Sequence, residues 1–446
     1  SHVENRPLDL FDPAEDARSA VRGDLALIER LIPLLSSRLE ELGLVSLYRE
    51  IEAPLIRVLA KMEILGIGVD RGVLETIRRD LTLETERLLL EIRSLGGAEL
   101  NPNSPKQLGE VLFSRLGLTP GKKNKTGYST DAQTLERLRD EHPIVELILS
   151  YRELDKLRST FAEGLLSEIA PDGKIHATFH QTVARTGRIS SDSPNLHNIP
   201  IRSTEGRRFR DAFIADPGSM LVVADYSQIE LRVIAHLSGD PNLIQAMTSN
   251  QDVHTQTAAL VFGVPPEEVN SSQRAKAKMV AYGLAYGMEA FGLGQRLGIP
   301  TSEAEEILQS YFAAFPKVRS YMDGAISSAR ETGFTKTLYG RRRYFADLHS
   351  SNRSLRQAAE RQAMNAGIQG LAADIFKLAL IRLDRALEGR HGATVLQVHD
   401  EILVECPANE VEATKELVRD AMEGAANLDV PLVVNIAAGR SWSDAK

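Results

Sequence analysis

Two aspartates lie at the ends of strand-like apolar runs that are far apart in the chain. Residues 220–224 (MLVVA) precede Asp225, and residues 394–399 (TVLQVH) precede Asp400. Because β-branched residues and leucine are typical of buried strands, both runs predict strands. A carboxylate at such a position is costly unless it is paired, hydrogen-bonded or bound to metal. Two carboxylates on one sheet would repel until a divalent cation neutralised them, and Mg²⁺ is usually held by one or two carboxylates together with substrate phosphates.

A second pattern places two cations and two aromatic rings on one helix face. Arg274, Lys278, Tyr282 and Tyr286 follow one another at four-residue steps. Each step drifts by only about 40° and climbs about 6 Å along a helix. A nucleoside triphosphate has the matching layout, because arginine binds phosphate oxygens through two parallel hydrogen bonds and a tyrosine ring stacks on a base for ~1–3 kcal/mol. An amphipathic helix with an exposed basic stripe and core tyrosines is the alternative that this pattern alone leaves open.

Length and composition indicate a globular protein with several subdomains. A chain of 446 residues is too long for one core, so two or three subdomains are expected. No apolar run is long enough to span a bilayer. Cys406 is the only cysteine, which excludes an intrachain disulfide and favours a reducing cytoplasm.

The net charge of −8 at first argues against a nucleic-acid partner. Phosphate binding needs only a local positive groove, however, so the distribution of charge matters more than its sum. Basic residues do form clusters, and each cluster could equally be a solvated face. The clusters are Lys122, Lys123 and Lys125; Arg202, Arg207, Arg208 and Arg210; Arg274, Lys276 and Lys278; Arg341, Arg342 and Arg343; and Arg353, Arg356 and Arg361. These clusters are compatible with a nucleic-acid partner but do not establish one, so the choice depends on the sequence motifs.

Hydrophobic periodicity predicts the elements that would position these residues. A helix-like segment over 12–52 stops before Pro54, and helices over 71–95, 104–116, 131–138 and 144–166 form a long antiparallel arm. Strand signals run from 174 to the first carboxylate, and helical patterns return over 229–330. A long helix is predicted over 353–387, interrupted at Gly367 and Gly370. The strands therefore come from two distant stretches, with a helical insertion between them.

Together these motifs resemble those of family A DNA polymerases, the bacterial DNA polymerase I type. Residues 225–232 (DYSQIELR), the helix from Arg274 and residues 397–401 (QVHDE) are similar to that family's motifs A, B and C. The similarity also covers 186–200, 339–343 and 369–370, and extends from about residue 51 to the C-terminus. It implies an α+β fold of right-hand architecture, with an antiparallel-sheet palm, helical fingers and a helical thumb. The implied domains are a remnant of a 3′–5′ exonuclease domain at 1–52, the thumb with a leading palm segment at 53–170, a first palm part at 171–232, fingers at 233–346 and a second palm part at 347–446.

The resemblance also implies roles for individual residues. Asp225, Asp400 and the backbone carbonyl of Tyr226 would hold two Mg²⁺ ions, for which Mn²⁺ could substitute, and Glu401 would lie near this catalytic site without necessarily being a ligand. Lys278 would also protonate the leaving pyrophosphate. The residues implied in nucleotide binding are Arg274, Lys278, His254, Tyr282, Tyr286, Glu230 and Gln228. Those implied in binding primer-template DNA from the minor groove are Arg188, Gln369 and His399, with Asn195, Asn198, Asn365 and Gln397 in the same polar lining.

The implied activity is template-directed addition of deoxynucleotides to a primer 3′-hydroxyl, serving repair and gap filling between Okazaki fragments. The expected protein is a bacterial, cytoplasmic, nucleoid-associated monomer without a membrane partner. Two departures from the family pattern stand out. Tyr282 lies where many relatives have phenylalanine, and Ala281 replaces a polar residue. Only residues 12–16 resemble the exonuclease domain, in its last acidic segment, so neither 3′–5′ exonuclease nor 5′ nuclease activity is expected from this chain.

Two other functions fit part of the pattern. A single-subunit RNA polymerase has a related helix that also carries tyrosine, but Glu230, placed to obstruct a 2′-hydroxyl, argues against it. A catalytically silent DNA-binding module would have no need of the two aspartates or of Arg274 and Lys278.

Overall fold

The computed structural model describes residues 13–121, 123–124, 127–200, 203–249, 252–285 and 287–445 of the protein. Tyr286, predicted to bind the nucleotide, lies outside these described residues. Within the described ranges, no helix is both long enough and apolar enough to cross a membrane.

The first part of the chain is helical and forms an arm with its own small core. The predicted helix over 71–95 is confirmed as α4, which packs along α7 and buries Leu74, Ile77 and Leu81. Further along, Ile92 and Ile148 belong to an apolar cluster separate from the main core. The elements are α1 (Pro13–Glu41), α2 (Val45–Leu47), α3 (Ala53–Leu65), β1 (Ile67–Val69), α4 (Arg71–Gly96), α5 (Pro105–Gly109), β2 (Lys123–Asn124), β3 (Gly127–Tyr128), α6 (Ala132–Arg137), α7 (Pro143–Lys156) and α8 (Gly164–Glu168), with π-helical turns at Tyr48–Glu52, Glu110–Arg115 and Leu157–Glu163.

Short strands follow the arm and lead to the first carboxylate. They are β4 (Lys174–Ile175), β5 (Thr178–His180), β6 (Ser190–Asp192), β7 (Phe213–Ile214) and β8 (Ser219–Tyr226), with helix α9 (Thr204–Arg207) and 3₁₀ turns at Leu196–Asn198 and Arg208–Ala212. β1 pairs antiparallel with both β4 and β7. The base of the arm is therefore joined to the strand region through a three-stranded sheet.

A helical insertion follows β8. It contains α10 (Ile229–Ser238), α11 (Pro241–Thr248), α12 (Val253–Phe262), α13 (Ser271–Ala285), α14 (Ala290–Leu297), α15 (Thr301–Ala314) and α16 (Pro316–Thr332), and it ends in the hairpin β9 (Phe334–Lys336) and β10 (Arg342–Tyr344). Fully buried Asp240 ties two of these helices together, because it caps α11 and also accepts a hydrogen bond from the Lys317 backbone N–H at 3.0 Å. α12 and α13 lie side by side in this layer.

The last part of the chain completes the central sheet. It contains α17 (Arg353–Ala386), β11 (Ala393–Val398), β12 (Glu401–Pro407), α18 (Val411–Glu423) and β13 (Val434–Gly439). The sheet is antiparallel in the order β11–β12–β8–β13, so strands from two distant stretches lie next to each other as predicted. Helices α17 and α18 pack together, and α18 packs on β8. The continuous apolar runs 221–224 and 402–404 are buried, as expected of strands at the centre of a sheet.

Two sequence predictions about helix ends are wrong. α17 runs unbroken through Gly367 and Gly370, because these glycines allow close packing. A Cβ on Gly367 would lie 2.6 Å from the Tyr321 hydroxyl, and one on Gly370 would lie 2.7 Å from Thr337 Cγ2. The helical path also continues through Pro54, which lies in the first turn of α3, where a missing N–H costs little.

Individual members of the basic clusters form ion pairs with distant parts of the chain, and Arg341 does so in the interior. Arg341 binds Asp374 at 2.7 Å and also Glu52, which accepts a second bond from fully buried Lys377 at 2.8 Å. Arg208 pairs with Asp80 on the arm at 2.6 Å. These ion pairs join segments that are remote in sequence, and only the folded chain reveals them.

Replacing Gly370 with alanine is expected to destabilise the protein. An unhindered helical glycine gains stability of about 1 kcal/mol on conversion to alanine, but here the added methyl group collides with buried Thr337 and should cost about 1–3 kcal/mol. Thermal unfolding of Gly370→Ala should therefore occur at a lower temperature than in the parent. Gly324→Ala on α16, where a Cβ would meet open space, is the matched control and should unfold at the same or a higher temperature. Equal melting temperatures for the two variants would contradict the packing role.

Candidate active site

The structure brings the two predicted aspartates together at one end of the central sheet. Asp225 is the penultimate residue of β8, and Asp400 lies in the tight turn that joins β11 to β12. The Tyr226 backbone N–H donates to the Asp400 carbonyl at 3.3 Å, which joins the turn to the end of β8. His399 holds this turn with a left-handed φ of 55°. The convergence expected from the two apolar runs is therefore confirmed.

A third carboxylate, Glu230, lies beside the pair on the first turn of α10. Burial raises the pKa of Asp400 to about 7, with further repulsion from Glu230 and Asp225 and partial relief from Arg188. The Arg188 guanidinium lies 2.6 Å from Glu230 and 3.7 Å from Asp400. The buried Arg210 guanidinium also interacts with the charge of Asp225, as well as with Glu401. Two guanidinium groups thus face four carboxylates, and negative charge is left in excess among these residues.

This site fits a divalent cation in its chemistry. The Asp225 carboxylate near the end of β8 and the Asp400 carboxylate in the neighbouring β11–β12 turn offer hard oxygen atoms, the donor type that Mg²⁺ prefers. Their mutual repulsion is the kind of strain that a cation relieves. In the described ranges, no group of three or more His, Cys, Asp or Glu side chains forms a complete protein-only metal cage. Any cation would therefore need further ligands from the backbone, from water or from a substrate.

Tyr226 and Glu401 adjoin the aspartates, but other contacts occupy their side chains. The Tyr226 hydroxyl donates to the Met422 carbonyl at 2.6 Å, so only its backbone faces the aspartate pair. Glu401 accepts a bond from Trp442 Nε1 at 2.5 Å and lies 3.7 Å from Arg210. The Glu401 carboxylate is therefore engaged by Trp442 and Arg210, and these contacts hold the start of β12.

Arg210 is a buried cation that the sequence patterns did not single out. Its guanidinium lies 4.1 Å from the centre of the Trp442 ring, and Glu401 and Asp225 both interact with its charge. Burial lowers the pKa of Arg210, while those two carboxylates oppose the change. Only its place in a basic cluster hinted at this role.

Helix α13 carries the predicted nucleotide-binding residues, and Tyr282 on it lies near the carboxylates. Burial raises the pKa of the half-buried Tyr282, and the negative charges of Glu230, Asp225 and Asp400 add to this effect. Arg274 and Lys278 are exposed on the preceding turns of the helix. The described part of α13 therefore has two cations followed by a ring, in the predicted order.

His254 lies on the neighbouring helix α12, with its ring centre 5.8 Å from that of Tyr282. It is almost fully buried, and its Nδ1 has no hydrogen-bond partner among the described residues. Burial lowers its pKa to about 4, and the charges of Lys278 and Arg274 act in the same direction. A neutral imidazole with an unsatisfied nitrogen is thus placed beside the predicted phosphate-binding cations.

The predicted DNA-contacting residues separate into three groups. Gln397 is buried, with its amide 2.9 Å from His197 Nε2, and the His197 ring lies 5.5 Å from that of His399. Asn365 and Gln369 line a cavity of about 410 Å³ together with Arg343 and Arg361. Asn195 and Asn198 are exposed at a 3₁₀ turn, where the Asn195 side chain accepts the His197 backbone N–H. Gln228, which was predicted to bind the nucleotide, directly precedes α10 with a left-handed φ of 58°. His197, which links two of the predicted residues, was missed because a lone histidine in a loop carries no pattern.

Comparison with known proteins identifies the family. Residues 71–444 match the model of DNA polymerase family A. The chain belongs to this family. Similar proteins include the thermostable DNA polymerase I of Thermus filiformis, 49% identical over 94% of this chain and 51% of that protein, and DNA polymerase I of Bacillus subtilis (strain 168), 46% identical over 97% and 50%.

A solved structure is similar along most of the chain. It is the POL domain of Pol1 from M. smegmatis in complex with DNA primer-template and dNTP, with a TM-score of 0.88, 46% identity and coverage of 92% of this chain and 73% of that one. The expected family and its α+β right-hand polymerase fold are therefore confirmed. The chain spans about half the length of the curated DNA polymerase I relatives that it matches. The domain boundaries and the individual residue roles stay predictions.

Neutralising Asp400 is expected to stabilise the protein in the presence of a chelator. Asp400→Asn removes one of three mutually repelling carboxylates, which should raise the unfolding free energy by about 1 kcal/mol. The measurement is thermal unfolding in EDTA, with Asp140→Asn, which changes an exposed carboxylate in a turn of the arm, as the control expected to have no effect. A lower melting temperature for Asp400→Asn than for the parent would contradict the proposed repulsion.

Proposed function

We propose that this chain is a template-directed DNA polymerase that adds deoxynucleotides to a primer 3′-hydroxyl and releases pyrophosphate. The observation that carries the proposal is that Asp225 on β8 and Asp400 in the neighbouring β11–β12 turn lie near Tyr282, whose helix also carries Arg274 and Lys278. Acidic groups at one end and cations followed by a ring at the other match a metal-assisted transfer from a nucleoside triphosphate. The M. smegmatis domain of the same fold, solved with primer-template and dNTP, supports the choice of substrates.

Asp225, Asp400 and the Tyr226 carbonyl are proposed to hold two Mg²⁺ ions, with Mn²⁺ as a substitute. Bound there, the ions would lower the pKa of the attacking hydroxyl and stabilise charge on the leaving oxygen. The two carboxylates position this chemistry because β8 and the β11–β12 turn fix them on a rigid sheet. Glu401 holds the end of β12 through Trp442 and Arg210 and thereby keeps Asp400 in place.

Arg274, Lys278 and His254 are proposed to bind the triphosphate. Both cations are exposed, so phosphate oxygens can reach them without displacing core residues. Lys278 is also the proposed donor of a proton to the leaving pyrophosphate. His254 adds a neutral ring nitrogen, whose missing partner a phosphate or its water could supply.

Selection of deoxyribose is assigned to Glu230 on α10 and Tyr282 on α13. Gln228, at the start of α10, is assigned to the same nucleotide site. Glu230 is buried and held by Arg188, so it cannot move aside easily for a 2′-hydroxyl. The half-buried Tyr282 ring supplies the other wall of the sugar pocket. This arrangement favours a DNA polymerase over a single-subunit RNA polymerase.

The remaining polar residues are assigned to the primer-template. Arg188 and His399 adjoin the carboxylates, where the primer end must lie for the reaction to occur. Donors at these positions can test base-pair shape, because every correct pair offers acceptors in the minor groove. Gln369 and Asn365 would continue this contact along their cavity. Asn195, Asn198 and Gln397, which lie outside that cavity, are proposed as further polar contacts to the primer-template. A monomeric state, a cytoplasmic location and a part in repair and gap filling are proposed on the same family basis.

Removing one of the two aspartates is expected to abolish synthesis while DNA binding remains. Asp400→Ala should reduce the primer-extension rate by at least about 10²–10³-fold, the cost of removing a principal group that stabilises transition-state charge. Extension should also stop in EDTA and return with Mg²⁺. Glu401→Gln, next in the chain, is the matched control and should lose much less activity, because Glu401 is engaged with Trp442. Full activity of Asp400→Ala, or loss of its DNA affinity, would count against the proposal.

The Tyr282 hydroxyl is expected to stand in for a missing nucleotide 3′-hydroxyl, so dideoxynucleotides should be accepted readily. Tyr282→Phe should raise discrimination against dideoxynucleotides by about tenfold, the equivalent of one hydrogen bond of about 1.4 kcal/mol. Competition between each deoxynucleotide and its dideoxy analogue during primer extension measures this ratio. Tyr344→Phe, at an exposed tyrosine on β10, should leave it unchanged. Equal discrimination against dideoxynucleotides in the parent and in Tyr282→Phe would contradict this role of the hydroxyl.

A further inference from the structure

One carboxylate outside the sequence motifs contacts both helices that carry the proposed triphosphate-binding residues. Asp252 caps the N-terminus of α12, and its Oδ1 accepts the His254 backbone N–H at 3.2 Å. Its Oδ2 accepts the Thr255 hydroxyl at 2.8 Å and also the Nε–H of Arg274 on α13. Asp252 therefore links the start of the His254 helix to the Arg274 side chain.

The atoms used in this link leave the rest of the guanidinium accessible. The bond to Asp252 is made by Nε, on the stem side of the group, and the Arg274 side chain remains 46% exposed. The two terminal nitrogens of an arginine form the planar fork that binds phosphate through parallel hydrogen bonds. A carboxylate that holds Nε thus fixes the direction of the fork without covering it.

Asp252 is itself firmly held, which an orienting group requires. Although burial raises its pKa, the bonds from Arg274, Thr255 and the His254 N–H outweigh it and hold the pKa at about 2. The carboxylate is therefore charged at neutral pH. Because its other bonds are to α12, the Arg274 side chain is anchored to that helix and not only to its own.

We propose that Asp252 is a positioning residue for the incoming nucleotide: it holds the Arg274 guanidinium in the orientation that receives the triphosphate. This inference rests on the proposed function, in which Arg274 and His254 bind that triphosphate. An arginine that must be ordered on each binding event loses rotamer freedom each time, whereas one already held in place does not. Nucleotide affinity is therefore the quantity that Asp252 governs.

The test substitution is Asp252→Asn. Asparagine caps helices about as well as aspartate, so α12 should keep its N-terminus and the protein should fold. The ion pair with Arg274 is replaced by a bond from the guanidinium to a neutral amide oxygen, which is weaker because the acceptor has lost its charge. Asp323→Asn is the matched control, because Asp323 Oδ2 also accepts an arginine Nε–H, from Arg319 at 2.9 Å, on α16 of the same insertion.

Single-turnover incorporation of one complementary deoxynucleotide on saturating primer-template separates the possible roles. Asp252→Asn should weaken the apparent nucleotide Kd roughly three- to tenfold and leave the maximal rate and the DNA affinity within about twofold. Asp323→Asn should match the parent in all three quantities. A purely structural role would lower the maximal rate or the DNA affinity as well.

A double-mutant cycle decides whether Asp252 acts through Arg274. In an Arg274→Ala background, adding Asp252→Asn should cause no further loss of nucleotide affinity. The inference would be overturned if Asp252→Asn weakened nucleotide binding as much in the Arg274→Ala background as in the parent. It would also be overturned if Asp252→Asn alone left the Kd unchanged or tighter. In either case the proposed function would stand, provided that Arg274→Ala itself weakens nucleotide binding. A normal Kd in Arg274→Ala would overturn both the inference and the assigned role of Arg274.

Discussion

The arrangement of this protein depends on carboxylates forced close together at the end of a sheet. Asp225 and Asp400 are brought together by the pairing of β8 with β12, and Glu230 adjoins them in the first turn of α10. Burial and mutual repulsion raise the pKa of Asp400, and the Arg188 guanidinium relieves only part of this strain. Such a group of charges is stable only on a rigid support, and it is ready to accept positive charge.

The rest of the fold provides that support and also carries the residues that are proposed to bind the substrate. The strand ends are fixed by bonds to distant segments: Tyr226 to Met422, and Glu401 to Trp442, which packs edge-on against Phe213. The helical insertion between β8 and β11 carries Arg274, Lys278 and Tyr282, so the proposed phosphate-binding groups and the acidic groups belong to different layers. Under the proposed function, a nucleotide would lie between the acidic groups on the sheet and the helix that contributes positive charge.

Misread sequence features show where local pattern is insufficient. The glycines at 367 and 370 predicted a helix break, yet they lie in an unbroken helix because Tyr321 and Thr337 approach them closely. A glycine that breaks a helix and a glycine that allows close packing look the same in the sequence. The neighbouring residue that distinguishes them comes from elsewhere in the chain. Arg341 belongs to a basic cluster for which the sequence left open both a solvated face and a binding surface, but it is an interior ion-pair partner of Asp374. Burial of a charge depends on partners that periodicity does not identify.

The sequence by itself determined the strands that end in Asp225 and Asp400, the order of Arg274, Lys278 and Tyr282 along one helix, and the polymerase family. These features follow from local periodicity and from motifs whose spacing is fixed along the chain. Only the tertiary structure decided that Arg188 contacts Glu230 and Asp400, that Arg210 and Trp442 hold Glu401, and that Asp252 binds Arg274. Such contacts join segments that are far apart in the sequence. Which side chains meet depends on the direction in which each one points in the folded chain, and local sequence patterns do not contain that information.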